Sequence, residues 1–177
     1  VDFMHKQNID DGNYKINSKL LELKKNLESS LDKKHVIYID DRVQRNSIME
    51  ILKDLGLKSN QIKNIASTTT EISGVEMANR VRDFRENKNI PVILMDRASA
   101  VGYNLQAADV MHIVGAPLDA ANYLQAQGRV SRMPRKGDVA IKTYRYEDNP
   151  VENAKWGDIE NQLKVLRASS PGLFVGE

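Results

Sequence analysis

The strongest constraint on how this 177-residue chain can fold is a set of short, almost unbroken apolar runs lying between helical stripes. His35-Val36-Ile37-Tyr38-Ile39, Val92-Ile93-Leu94-Met95 and Val110–Val114 carry no polar alternation. A strand with one wet face alternates apolar and polar residues, whereas a continuous run suits a strand covered on both faces. Between these runs, apolar residues recur at helical spacing. Ile16, Leu20, Leu23 and Leu27 predict one helix, with Asn17 or Ser18 as its cap. Ile48, Ile51, Leu52 and Leu55 predict a second that stops at Gly56, and Val75, Ala78, Val81 and Phe84 a third. Asp119–Arg132 reads as a helix halted by Pro134, and Trp156–Leu166 as a closing helix. Ile62–Ala66 and Val139–Tyr144 supply two further short strands. This alternation predicts an α/β fold, a parallel sheet with helices on both faces. Ligands of open parallel sheets sit beyond the carboxyl ends of the strands, so the loops after Ile39, Ala66, Met95 and Val114 matter most.

Residues 1–15 are polar and aperiodic and read as a flexible lead-in, residues 16–168 as one domain, and residues 169–177 as an exposed tail. The start at Val1 suggests a piece trimmed or excised from a longer chain. No apolar run approaches the roughly 20 residues of a membrane span. The first residues lack the basic start and apolar stretch of a signal peptide. The expectation is a cytoplasmic protein, or a nucleoid-associated one if the source is bacterial or phage. There is no cysteine, which excludes disulfides, zinc–thiolate sites and Cys nucleophiles. His5, His35 and His112 show no ligand spacing, so no metal site is expected. A net charge of +2 does not by itself demand a polyanionic partner; local clustering would have to create one basic face.

The chemistry concentrates in Gln125-Ala126-Gln127-Gly128-Arg129-Val130-Ser131-Arg132. On a helix, Gln125, Gly128, Arg129 and Arg132 share a face, because residues three and four apart are neighbours. Glycine lets a phosphate or a second backbone approach closely, and arginine brings a permanent planar charge matched to phosphate oxygens. Such a pair can stabilise the charge that develops on a transferring γ-phosphoryl group. A bare GRxxR equally caps or salt-bridges a surface helix; the Gln three residues ahead of the Gly and the segment upstream favour the phosphate reading. In that segment the run Val92–Met95 opens into Asp96-Arg97-Ala98-Ser99-Ala100-Val101-Gly102-Tyr103-Asn104-Leu105. Small residues at a strand's carboxyl end expose backbone amides and hydroxyls suited to a phosphodiester, with Arg97 and Ser99 as candidate contacts. An ordinary tight strand-to-helix connection is the competing reading.

Together these segments resemble motifs V and VI of superfamily 2 helicases, most closely the Snf2-like branch with its viral, phage and strawberry-notch-like relatives. Gly102-Tyr103-Asn104-Leu105-Gln106-Ala107-Ala108-Asp109 is similar to motif V, and Gln125–Arg132 matches each defining position of motif VI. Lys136-Gly137-Asp138, Ser18-Lys19-Leu20, His35–Asp40 and Ile72–Phe84 agree in order and spacing. Ser99 and Ala100 replace the consecutive glycines usual in the branch, and Met133-Pro134-Arg135 replaces its Ile-Gly-Gln.

The resemblance covers roughly residues 16–146 and implies the second, RecA-like motor lobe of an ATP-dependent helicase or translocase. It implies Arg129 and Arg132 as catalytic arginines and Gln125, Gly128, Gly102 and Asn104 at the ATP. Arg97, Ser99, Thr68 and Thr69 would then touch nucleic acid, DNA in preference to RNA. No GxxxxGKS/T loop and no DExH or DExD occurs in this chain. ATP and Mg2+ would therefore be held by an N-terminal RecA-like lobe of the same full-length protein, and this lobe alone would be inactive. The alternatives are a non-catalytic adaptor of the same fold binding nucleic acid or protein, and an unrelated doubly wound domain. Asp40 and Asp41 read as strand-end residues capping a helix, the charges from Arg80 to Glu86 as a solvated helix face, and Trp156 as a core anchor.

Overall fold

A computed structural model of the chain describes residues 9–10, 15–16, 18–39, 42–66, 72–99, 103–130, 139–146 and 149–170. The first pairing is a two-residue antiparallel one, strands β1 (Ile9–Asp10) and β2 (Lys15–Ile16), in a lead-in for which no element was expected, and it takes Ile16, expected on the first helix, into a strand instead. Two residues are too few for any periodicity to announce them. Helix α1 (Ser18–Glu28) follows, then β3 (His35–Tyr38), α2 (Arg42–Asp54) and, after a 3-10 turn, β4 (Ile62–Asn64). The chain continues through α3 (Gly74–Glu86), β5 (Val92–Met95), β6 (Val110–Ile113), α4 (Ala120–Val130), β7 (Ala140–Thr143) and α5 (Pro150–Ser169).

β3 to β7 form one sheet in the order β4-β5-β3-β6-β7, every pair parallel. The three apolar runs are its central strands, each buried throughout. Side chains alternate along a strand and so feed two layers. Val36, Tyr38, Ile93, Met95, Met111 and Ile113 pack against α3, α4 and α5 through Phe84, Val130 and Trp156. Ile37, Ile39, Val92, Leu94 and Val114 face α1 and α2 through Leu23, Leu27, Ile48 and Ile51. The chain runs from β3 outward to β4, returns to β5, then crosses beyond β3 to β6. Strand order therefore reverses at β3, which places the ligand-type crevice at the carboxyl ends of β3, β5 and β6.

Element ends follow local chemistry. α2 closes where Gly56 takes φ 90°, with Gly56 N–H donating to Lys53 O (2.9 Å) and Leu57 N–H to Leu52 O (3.1 Å), the paired bonds of a glycine-stopped helix. α5 starts earlier than the apolar spacing indicates, because Asn149 caps it and Pro150 fits its first turn. α3 also differs from its expected face. Val75 and Ala78 are exposed, and Met77, Val81 and Phe84 form the buried stripe. Both registers satisfy helical spacing, and the larger side chains occupy the core.

Candidate functional site

α4 begins on a polar cap. The Asp119 carboxylate accepts from Asn122 N–H (2.9 Å) and from the Asn122 side-chain amide (2.8 Å). These two bonds hold the Asp119 carboxyl below the ordinary carboxylate range, and the Arg97 guanidinium adds a smaller push in the same direction. Arg97, from the loop after β5, therefore acts electrostatically on the start of α4. Ala126 and Val130 bury one side of the helix, leaving Gln125, Gly128 and Arg129 half-buried along its flank. Among the described residues, a Cβ built on Gly128 would meet no atom within 4 Å beyond its chain neighbours and its own helix backbone, so their packing does not require glycine there.

The segment upstream is tied to that helix. Leu105 N–H donates to the Arg129 carbonyl at 3.0 Å, joining the Tyr103–Leu105 stretch to the end of α4 through the backbone. Leu105 itself is buried in the layer that holds Val130. Asn104 is exposed, and its side-chain oxygen accepts from Gln106 N–H at 2.9 Å, which shapes the turn. Nearer β5, Asp96 and Ser99 close a reciprocal turn. Asp96 N–H donates to Ser99 Oγ (2.9 Å), and both the Ser99 amide and its hydroxyl donate to Asp96 Oδ1 (3.0 Å each). Ser99 is 1% exposed and its hydroxyl faces Asp96, whereas Arg97 within the same turn points to solvent. Ser99 thus shapes the loop that presents Arg97, a role that small size alone did not reveal.

Thr68, Thr69, Gly102 and Arg132 lie outside the described residues, as do Asp40 and Asp41. The charges of α3 take up ordinary surface positions. Arg80 holds Glu76 (3.0 Å) and caps the Asn64 carbonyl (2.6 Å), while Arg82 and Arg85 lie 3.6 and 3.8 Å from their acidic neighbours. Trp156 is buried, edge-on to Tyr123 of α4 at 6.1 Å between ring centroids, with the Arg145 guanidinium over its ring.

Two buried polar clusters were not legible in sequence, because their members are far apart in the chain. His35 Nε2 lies 2.7 Å from Ser30 O, His35 Nδ1 2.8 Å from His112 Nε2, and His112 Nδ1 2.7 Å from Tyr144 Oη, which also accepts from Asn26 at 2.9 Å. A carbonyl only accepts, so His35 must donate from Nε2. Neutral His35 then accepts at Nδ1, His112 donates from Nε2 and accepts at Nδ1, and the tyrosine donates. Every proton in the chain is assigned with both rings neutral. Burial, and after it the neighbouring His35, pushes His112 down to about 3, and burial lowers His35 as well. Burial raises Tyr144 to about 12. Among the described residues no group of His, Asp and Glu could hold a metal ion. The second cluster surrounds Lys19, whose Nζ reaches Val114 O (2.8 Å) and Glu152 Oε2 (2.9 Å).

Comparison with known proteins bears on these loops and this sheet. A model of the helicase conserved C-terminal domain matches residues 18–134, which takes in both chemistry-bearing segments. The chain belongs to that family. Its five-stranded parallel sheet covered by helices is the α/β, RecA-like fold of helicase C-terminal domains. It is similar in structure to the C-terminal part of the Fun30 ATPase domain, with TM-score 0.71 and 22% identity over 87% of this chain and 49% of that one. It also resembles the C-terminal domain of the DEAD-box protein Dbp5, with TM-score 0.60 and 19% identity over 85% of this chain and 77% of that one. The chain spans about half the length of the Fun30 structure. No curated protein matches it. Among the described residues, no helix is long and apolar enough to cross a membrane.

Proposed function

We propose that this helicase C-terminal domain is the second motor lobe of an ATP-dependent superfamily 2 helicase or DNA translocase of the Snf2-like, strawberry-notch-like or viral and phage branch, spanning residues 16–168 and acting on DNA in the cytoplasm or nucleoid. The observation that carries the reading is the join between the two candidate motifs. The Leu105 amide bound to the Arg129 carbonyl ties the end of the first segment to the arginine helix, which supports reading the two as one unit.

In this reading ATP and Mg2+ are held by an N-terminal RecA-like lobe, and the nucleotide supplies the phosphoryl group that is transferred. The residues present fit such a partner. Gly128 leaves open space on the flank where Gln125 and Arg129 lie, so a phosphate can approach the helix without a side chain in the way. Arg129 and Arg132 bring charge to the γ-phosphate when the lobes close, and Gln125, Gly128, Gly102 and Asn104 line the nucleotide. Arginines in that role contribute roughly 10³–10⁵-fold in rate. Arg97, with Thr68 and Thr69, contacts the DNA backbone, while Ser99 holds the Asp96 turn that displays Arg97. Because the Tyr103–Leu105 stretch is bonded to the end of α4, closure on nucleotide would carry the loop after β5 with it.

The test compares this lobe with the natural full-length protein. The full-length protein should hydrolyse ATP faster when DNA is added, and the lobe alone should not hydrolyse it at all. A full-length protein that binds DNA but never turns over ATP would favour an adaptor of the same fold.

A further inference from the structure

We propose that Lys19 is a positioning residue for the arginine-bearing helix: its buried ammonium, clamped between the Val114 carbonyl and the Glu152 carboxylate, fixes the connection into α4 and so the height of Arg129. The proposal rests on the composite-site reading above.

A lysine in the first turn of a helix sits at the wrong end of the helix dipole, and a buried ammonium is tolerated only when fully paired. The Lys19 side chain is 2% exposed. Its Nζ donates to Val114 O at 2.8 Å and to Glu152 Oε2 at 2.9 Å, and lies 4.5 Å from the centroid of the Tyr146 ring. Three directions are available to an ammonium, and each meets a partner. The other Glu152 oxygen accepts from Tyr146 N–H at 3.3 Å, and Glu152 N–H donates to the Asn149 cap of α5. One cation thereby joins the start of α1, the end of β6, the segment after β7 and the first turn of α5.

The place of the contact suggests its use. Val114 N–H donates to Tyr38 O at 3.0 Å, one residue past the last paired rung of β3 and β6, so Val114 closes the end of that ladder. Lys19 donates to the Val114 carbonyl at the point where strand order reverses. From Val114 the backbone runs directly through Gly115–Asp119 into α4. The second route to α4 passes through α5, whose Gln162 Oε1 accepts from Ala120 N–H at 2.9 Å and whose Trp156 lies against Tyr123. α4 is thus gripped at its first turn by two paths that meet at Lys19.

Lys19→Met alone would strand the Glu152 carboxylate in the interior, so the test uses the paired substitution K19M/E152M in the natural full-length protein. Replacing both members of a buried ion pair with apolar residues of similar volume is often neutral for stability. The thermal midpoint should stay within a few degrees of wild type, while amide exchange across Ala120–Tyr123 accelerates about tenfold or more. DNA-stimulated kcat should fall roughly 10- to 100-fold, with KM for ATP within about twofold, as expected from a displaced catalytic group. Wild-type kcat or wild-type exchange in that variant overturns the proposal. Glu152→Gln, which keeps an acceptor beside the ammonium but removes the charge, should lose less kcat than the paired substitution; a kcat loss as large as that of K19M/E152M with wild-type exchange across Ala120–Tyr123 would separate turnover from the placement of α4 and overturn the proposal too. Arg129→Ala is assayed in parallel. If that variant turns over ATP at the wild-type rate, the composite-site reading fails, and Lys19 loses its role in the reaction even if exchange at α4 is faster.

Discussion

Lowering the pH should destabilise the fold through the buried imidazole pair, because burial favours the neutral form of both rings. His112 ordinarily titrates near 6.5 and is pushed down to about 3 in the folded chain, while His35 is lowered by its own burial. Above pH 6.5 folded and unfolded chains are both neutral at these rings, and their contribution is fully present. Below that pH the unfolded chain takes up a proton that the folded chain refuses, so stability falls as pH falls. The slope is about 1.4 kcal/mol per pH unit per ring, so His112 alone removes about 2 kcal/mol by pH 5. His35 acts in the same direction. Domains of this kind hold about 5–15 kcal/mol in total, so the loss is a sizeable share. The assay is urea unfolding of wild type and His112→Gln at pH 7.5 and pH 5.0. The variant should be less stable at pH 7.5, and the gap should narrow by about 2 kcal/mol at pH 5.0, carboxylate titration being common to both. Parallel pH profiles for the two proteins would refute the neutral hydrogen-bonded chain from Asn26 to Ser30.

Other consequences are simpler to read. Phe84, fully buried between α3 and the sheet, should cost about 3–5 kcal/mol when cut to alanine, seen as a lower urea midpoint at constant slope. Asn149→Ala removes the side chain that accepts Glu152 N–H at 3.1 Å, and should lower stability by about 1 kcal/mol in the same assay. In DNA binding, Arg97→Ala should weaken affinity about equally for all sequences and reduce the slope of log affinity against log salt by about 1. An unchanged slope would remove Arg97 from the DNA contacts.

Most of the sheet was legible in sequence because its central strands carry an unambiguous signal. Val92–Met95 and its two companions are buried throughout, as a covered parallel sheet requires of its central strands, and the helical stripes between them favour that sheet. The Gly56 stop was readable for the same reason, since a positive φ demands that residue type. Where two readings satisfied one pattern, the sequence could not choose between them. Val75 and Met77 both lie on plausible helical stripes, and packing against the sheet selected Met77. The candidate site was legible as two motifs but not as one unit. The bond from Leu105 to Arg129 uses backbone atoms, which leave no mark in residue identity. Ser99 shows the same limit, its hydroxyl turned inward by a carboxylate three residues away. Lys19 with Glu152 and His35 with His112 are separated by 133 and 77 positions, beyond the reach of any local pattern.

In the proposed function the flank of α4 supplies charge to a phosphoryl group held elsewhere. Single-turnover ATP hydrolysis by the full-length protein, saturated with ATP and DNA, tests this most directly in Arg129→Ala and Arg132→Ala. Each substitution should slow the chemical step by ~10³-fold or more while ATP binding changes little. Wild-type hydrolysis rates in both variants would contradict that role.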